Sequence, residues 1–350
     1  MVKEVIAVEA LWLQILYTAL NAVLPIILMI ALGYFLRQKG ILGQEFLKTG
    51  NKLVFQLCLP SMLFVNIYQI PSLAQIRWDI VVYAGVALCV IFAVATAIAL
   101  ATTRVPERRG VIAQCIFRSN YAIIGMPLAA ALGGQEAEAV AAVLSAVAVP
   151  ILNVLAVISL SMHVHQDNSG KTSVKHILLD IVKNPLIQGV AAGIVCLILR
   201  WLQVRLWGEV VFSLSIHTKP LFTVLEYLKG VTTPLALIVL GGQFVFSAVK
   251  ELRKEIIVAT LSRVLLAPMI GIGGAFVLSR LGWLHCGTAQ YPALVALFAS
   301  PVSVSSAIMA SQMRNDEQLA TQLVVWTTVA SGITVFLISC GLMAAGLIAV

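Results

Sequence analysis

Arg118, Ser119 and Asn120 stand side by side in a stretch otherwise apolar enough to lie in a membrane: AQCIFRSNYAIIGMPLAAALGG, Ala113 to Gly134. A guanidinium is permanently charged and can hold a carboxylate through two parallel N–H donors. A carboxamide offers both a donor and an acceptor. Side by side, these groups suit the recognition of an anion. Tyr121 adds a further hydroxyl, and Gly125 and Pro127 follow within two turns. Proline lacks the N–H that a helix needs, and its ring collides with the carbonyl four residues back, here Ile123. A helix is therefore expected to break between Asn120 and Pro127. The break exposes the N–H groups of a new helix start, whose partial positive charge also favours an anion. Arg118 lies about seven residues, roughly 10 Å of helical rise, inside its span. It can reach a ligand there, or reach water at the interface or a backbone carbonyl instead.

A second stretch answers the first. Leu294 to Met313 reads LVALFASPVSVSSAIMASQM, with Pro301 among five serines. A shift of 181 residues lays Ser119 on Ser300, Asn120 on Pro301 and Glu136 on Glu317. Ser300, Ser303 and Ser305 are candidate lining residues, as is Ser306. Serines in membrane helices also bond their own preceding carbonyls or pack helices together. Pro127, Pro301 and Gly125 are expected to set geometry. Two interrupted apolar segments at matching positions of two halves mark the binding site of a transporter.

These breaks need a membrane scaffold, and the composition supplies one. The 350 residues are 60% hydrophobic and 11% charged, against about 25% charged in soluble domains. At about 20 residues per crossing, ten spans fit, near 11–36, 47–69, 79–101, 111–133, 138–162, 177–201, 219–247, 255–281, 289–313 and 317–348. The fold expected is all-α and polytopic. Acidic Glu4 and Glu9 precede the first span, where a signal peptide would carry basic residues, so this span is read as a retained helix. Loops after odd-numbered spans hold Arg37, Lys39, Lys48, Arg104, Arg108, Arg109, Lys171, Lys175, Lys250, Arg253, Lys254 and Arg314. Basic loops stay cytoplasmic, so both termini are expected outside a cytoplasmic (inner) membrane. The net charge of +8 is thereby explained without nucleic acid.

Five spans per half place the halves in opposite orientations: residues 1–165 form the first repeat and 166–350 the second. Pro25 to Gly33, PIILMIALG, matches Pro185 to Gly193, PLIQGVAAG, and the segment around Pro60 matches that around Pro234.

All fifteen acids lie in loops or near span ends, which disfavours a coupling ion held by a buried carboxylate. Arg263 and Lys183 read as interfacial, and Asn66 and Asn153 as interhelical hydrogen-bonders. The six cysteines read as small buried hydrophobes, and the five histidines lie in loops or at span ends. No phosphate loop, HExxH or GxSxG motif is present, so no enzyme activity, catalytic residue, metal or cofactor is expected. Trp12, Trp78, Trp201, Trp207 and Trp283 lie near span ends, as an aromatic belt requires.

The chain resembles a bacterial member of the auxin efflux carrier family in four segments: Leu24 to Leu42, Asn51 to Phe64, Ser119 to Leu128 and Thr233 to Phe244. That resemblance implies a scaffold domain of spans 1, 2, 6 and 7 and a transport domain of spans 3–5 and 8–10. It also implies that spans 4 and 9 cross at unwound centres. The substrates implied are organic anions, mono- or dicarboxylates; a homodimer is a family-level expectation. Asn120 matches the crossover asparagine and Pro301 the crossover proline, whereas Arg118 and the serine-rich span 9 depart from the family pattern. The function expected is export or exchange of small organic anions by alternating access. The alternatives are a sodium-coupled symporter of the bile-acid type, which shares this kind of repeat, and a membrane anion sensor.

Overall fold

The computed structural model describes residues 24–70, 78–164 and 174–348, together with Tyr17 and Asn21. Most of the N-terminal half of the first expected span, and residues 165–173 at the junction of the expected repeats, lie outside the described residues, as do Glu4, Glu9 and Trp12. The described residues are all-helical; the one departure is an isolated β-bridge between Ser119 and Val302.

The helices are α1 (Leu24–Gln38), α2 (44–68), α3 (Trp78–Thr102), α4 (Pro106–Phe117), α5 (121–132), α6 (135–164), α7 (Val174–Lys183), α8 (Pro185–Trp207), the single turn α9 (Leu214–His217), α10 (Lys219–Gln243), α11 (Ala248–Arg280), α12 (Gln290–Phe298), α13 (Ser305–Gln312) and α14 (Glu317–Ala344). Six stretches are long and apolar enough to cross a membrane: Trp78–Thr102, Tyr121–His163, Pro185–Trp207, Lys219–Gln243, Ala248–Arg280 and Glu317–Ala344. The second of these holds α5 and α6, which meet at a kink where Gly133 and Gly134 leave helical geometry. The expected spans 4 and 9 are each divided in two, and span 2 carries a π turn at Val54–Cys58 ahead of Pro60.

Local chemistry fixes several starts. Pro106 and Pro185 occupy first turns, where the missing N–H costs nothing. Asn184 caps α8 by accepting from the Leu186 N–H at 2.9 Å, and Asp316 caps α14 by accepting from Leu319 at 2.9 Å. The exposed surface is apolar where a soluble protein would be polar: Leu28, Val86, Val195, Leu265 and Ile333 are all more than half exposed. This is the surface a bilayer requires. Trp78, Trp207 and Trp283 are exposed at or just beyond helix ends, as the belt expectation requires, and Trp201 is exposed six residues before the end of α8.

Two helix pairs pack unusually closely. A Cβ on Gly33 of α1 would collide with the Ile238 carbonyl of α10, and a Cβ on Gly193 of α8 would lie 3.2 Å from the Phe64 carbonyl of α2. Only glycine lets backbones approach so far. Gly33 and Gly193 each stand eight residues after a proline, Pro25 and Pro185. Phe64 and Ile238 each stand four residues after one, Pro60 and Pro234.

Candidate functional site

The two interruptions meet. Between α4 and α5 the chain leaves helical geometry at Arg118, Ser119 and Asn120; between α12 and α13 it does so over residues 299–304. Residues at such breaks have amides and carbonyls with no intrahelical partner. In a bilayer, protein must satisfy these groups. Here each break satisfies the other. The Asn120 N–H donates to the Pro301 carbonyl at 2.8 Å and the Ser303 N–H to the Arg118 carbonyl at 3.3 Å. The Val302 N–H donates to the Thr327 hydroxyl of α14 at 3.2 Å.

The first break lies earlier than proline chemistry alone suggests. The Asn120 carbonyl accepts from Ile124 at 3.0 Å and Gly125 at 3.2 Å, which starts a π turn, Tyr121–Gly125. Pro127 then falls in the first turn of the regular helix resuming at Met126, where it is tolerated. Gly125 is the point of closest approach: a Cβ there would stand 2.7 Å from the Ala296 carbonyl of α12.

Arg118 neither reaches water nor binds a backbone carbonyl. It is 3% exposed. One terminal nitrogen donates to the Asn153 side-chain carbonyl of α6 at 2.8 Å and to the Ser305 hydroxyl at 2.9 Å. The other donates to the Met309 thioether, a weak acceptor. No carboxylate among the described residues pairs with it. In the same cavity wall Asn120 Nδ2 and Ser119 Oγ are buried without partners, as is Ser306 Oγ in α13.

The remaining candidates divide. Ser303 and Ser305 line the same small cavity as Arg118, Ser119 and Asn120, with their hydroxyls 2.8 Å apart. Tyr121 also lines it, but its hydroxyl turns away to the Ala141 carbonyl at 2.9 Å. Ser300 is not among the lining residues. Its hydroxyl donates to its own helix at Ala296, 2.6 Å away. Asn153 does bond between helices, as its type suggested, but the partner is Arg118. Met309 carried no sequence signal.

Arg263 is where sequence reasoning went astray. It is 1% exposed and not interfacial. Its Nε donates to the Ser300 carbonyl at 2.9 Å, its Nη2 to the same carbonyl at 2.5 Å, and its Nη1 to the Ile116 carbonyl at 3.0 Å. It lies in a π turn, Ser262–Leu266, of α11. Such turns are local insertions that frequently sit at functional sites.

The cavity at the crossing has a volume of about 40 Å³, room for a few waters at most. Among the described residues of its wall Arg118 is the one that is charged; Leu59, Met62, Leu63, Val149 and Leu152 make much of the remainder. Ala122 and Val149 also line a larger vestibule of about 740 Å³, with Gln69, Glu138 and Lys229 in its wall. A third cavity of about 450 Å³ lies among Arg37, Asn51, Gln243, Gln312 and Gln318 and shares no lining residue with the crossing. Among the described residues no cluster of His, Cys, Asp or Glu could hold a metal ion.

Comparison with known proteins converges on transport. An uncharacterized transporter of Methanothermobacter thermautotrophicus is 24% identical over 325 residues, 89% of this chain and 94% of that protein. One of Methanocaldococcus jannaschii is 27% identical over 267 residues, 75% of this chain and 79% of that protein. The family model for membrane transport proteins matches residues 18–339, so the chain, a multi-pass membrane protein, belongs to the membrane transport protein family, which is of the auxin efflux carrier type.

Proposed function

We propose that the protein is a secondary active carrier that exports or exchanges small organic anions by alternating access, with its substrate site at the crossing of the two interrupted helices. The observation that carries this reading is Arg118. A buried guanidinium is costly unless paired, and here it holds two neutral oxygens and a thioether. An arriving carboxylate is a better acceptor than the Met309 sulfur. Asn120 Nδ2 and the Ser119 hydroxyl are unpartnered beside it and supply further hydrogen bonds.

The wall narrows the class. With one fixed charge and a mostly apolar remainder, the site suits a monocarboxylate with an apolar body better than a dicarboxylate, whose second charge would be buried without a partner. The 40 Å³ cavity holds no such molecule as it stands. Binding therefore requires the walls to part, as alternating access demands. The adjoining vestibule is the natural route in from one side.

On this reading the architecture is ten spans in two inverted repeats, 1–165 and 166–350. The scaffold is built from spans 1, 2, 6 and 7, and the transport domain from spans 3–5 and 8–10. The paired close approaches support it. If Pro25–Gly33 corresponds to Pro185–Gly193, and Pro60 to Pro234, then the Gly33–Ile238 contact and the Gly193–Phe64 contact are the same contact seen from the two repeats. Such reciprocity is what an inverted repeat produces. The basic loops put both termini outside the inner membrane.

The test is counterflow in proteoliposomes loaded with unlabelled aromatic or aliphatic monocarboxylates, malate, malonate or buffer. Saturable exchange with a monocarboxylate, lost in Arg118→Gln, is expected. Exchange undiminished in Arg118→Gln would overturn the anion site.

A further inference from the structure

Arg263 has no part in binding the anion as described, yet its guanidinium donates to carbonyls at the ends of both interrupted helices. α4 stops at Phe117 and α12 at Phe298. The last carbonyls of a helix lack intrahelical acceptor duty and carry the negative end of its dipole. Two such ends converge here, out of reach of water. The Ile116 and Ser300 carbonyls point at one spot, and the guanidinium of Arg263 fills it, donating through Nε, Nη1 and Nη2. No donation goes to a carboxylate. The charge of Arg263 is thus balanced by backbone carbonyls and helix dipoles alone.

Converging carbonyls at half-helix C-termini are also what an inorganic cation seeks. Hard cations are held by carbonyl oxygens, and unwound carbonyls with half-helix C-terminal ends form the sodium sites of broken-helix transporters. Here the cation is covalently attached to a neighbouring helix, and α11 is shaped to deliver it. The π turn Ser262–Leu266 carries Arg263 inward. A second π turn, Met269–Gly273, follows. Tyr83 of α3 donates to carbonyls in that turn, Gly271 at 2.7 Å and Ile270 at 3.2 Å. At Gly271 a side chain would overlap the Phe298 ring, so glycine allows α11 to close on the end of α12.

We infer that Arg263 is the resident cation of the crossing: it occupies the position a coupling ion would take, so the transport cycle runs with no sodium or potassium ion bound at the crossing. Arg263 is on this view a positioning residue that holds both half-helix ends in register and excludes sodium coupling there. The inference rests on reading the protein as a carrier, but not on which anion it carries.

The experiment measures thermal unfolding of the purified full chain in NaCl, KCl and choline chloride at equal ionic strength, for wild type, Arg263→Lys and Arg263→Gln. Counterflow is then run in the same salts. Wild type is expected to melt at the same temperature in all three salts. Arg263→Gln is expected to lose roughly 5 °C or more, and Arg263→Lys, which keeps the charge, to lose less. Exchange is expected to be indifferent to sodium in wild type and to be better retained by Arg263→Lys than by Arg263→Gln. A wild-type melting temperature that rises saturably with sodium over choline would overturn the inference. So would Arg263→Gln as stable as Arg263→Lys, because the guanidinium would then be a packing group. The melting arm needs no substrate, so failure of the organic-anion reading leaves it interpretable.

Discussion

The Arg118 guanidinium donates to the side-chain carbonyl of Asn153 at 2.8 Å, a full positive charge held by a neutral oxygen. This pair joins the first break to α6 and leaves the charge uncompensated. Asn153→Asp would place a carboxylate where the substrate's is proposed to bind. Its melting temperature is expected to be no lower than wild type, because a hydrogen-bonded ion pair replaces a charge–dipole pair. Anion exchange is expected to fall about tenfold to a hundredfold, the equivalent of a hydrogen bond to a charged group. Arg118→Gln should lose exchange to a similar degree. Melting curves and counterflow on both variants check this. Undiminished exchange in Asn153→Asp would separate Arg118 from the substrate.

Asn120 is expected to behave as a residue kept for binding and not for stability. Its backbone ties the breaks together through Pro301, but its side-chain nitrogen meets nothing. Removing an unpaired buried polar group costs little, so Asn120→Ala should lie within about 1 kcal/mol of wild type in stability. Exchange should fall at least tenfold. The two readouts must diverge; a large loss of stability would make the side chain structural.

The close approach of α1 to α10 gives a steric prediction with its own control. Gly33→Ala drives a Cβ into the Ile238 carbonyl, which is backbone and cannot rotate aside. A loss of about 1–3 kcal/mol is expected, the range for overpacking. Gly230 lies in α10 with nothing within 4 Å of an added Cβ. Gly230→Ala should therefore gain about 0.5–1 kcal/mol through helix propensity alone. Thermal unfolding of the two variants should move in opposite directions.

Much of this was legible in the sequence, because membrane constraints are severe. Apolar runs had to be helices, and prolines beside polar residues had to mark their interruptions. The break at Pro301 fell where expected. That at Asn120 began two residues earlier, at Arg118, because the π turn at Tyr121–Gly125 lets the helix resume before Pro127. No residue pattern announces a π turn. The same blindness hid Arg263: on a regular helix near a span end it reads as interfacial, and the turn at Ser262–Leu266 carries it inward. Met309, and the choice of Arg118 as the partner of Asn153, were beyond reach for a different reason. They serve Arg118 across helices distant in sequence, and a thioether or a carboxamide has no spacing rule. Ser300 shows the converse, since a polar residue beside a break can be satisfied by its own helix.

The last prediction concerns the end of the protein where α4, α11 and α14 begin. Arg108 donates to Glu255 at 3.0 Å and to Asp316 at 2.9 Å. Burial alone would lower the affinity of Arg108 for its proton. The hydrogen bonds and charges of the two carboxylates outweigh this and hold its pKa above the ordinary value. Arg108 therefore stays charged at every pH where the protein folds. Glu255 is the more vulnerable partner, with 7% exposure and little water to replace the guanidinium. Arg108→Gln should cost about 1–3 kcal/mol, less than breaking a fully buried pair, because Arg108 itself is partly exposed. Adding Glu255→Gln should recover most of the loss, because the penalty lies in the stranded carboxylate and not in the missing bond. Asp316 also caps α14 at Leu319, so Asp316→Asn should cost less than Asp316→Ala, as asparagine retains the cap. A double-mutant cycle by thermal unfolding measures the coupling. If the double variant were as unstable as the sum of its parts, Arg108 and Glu255 would be independent of each other, and the three helix starts would be held by their caps and packing alone.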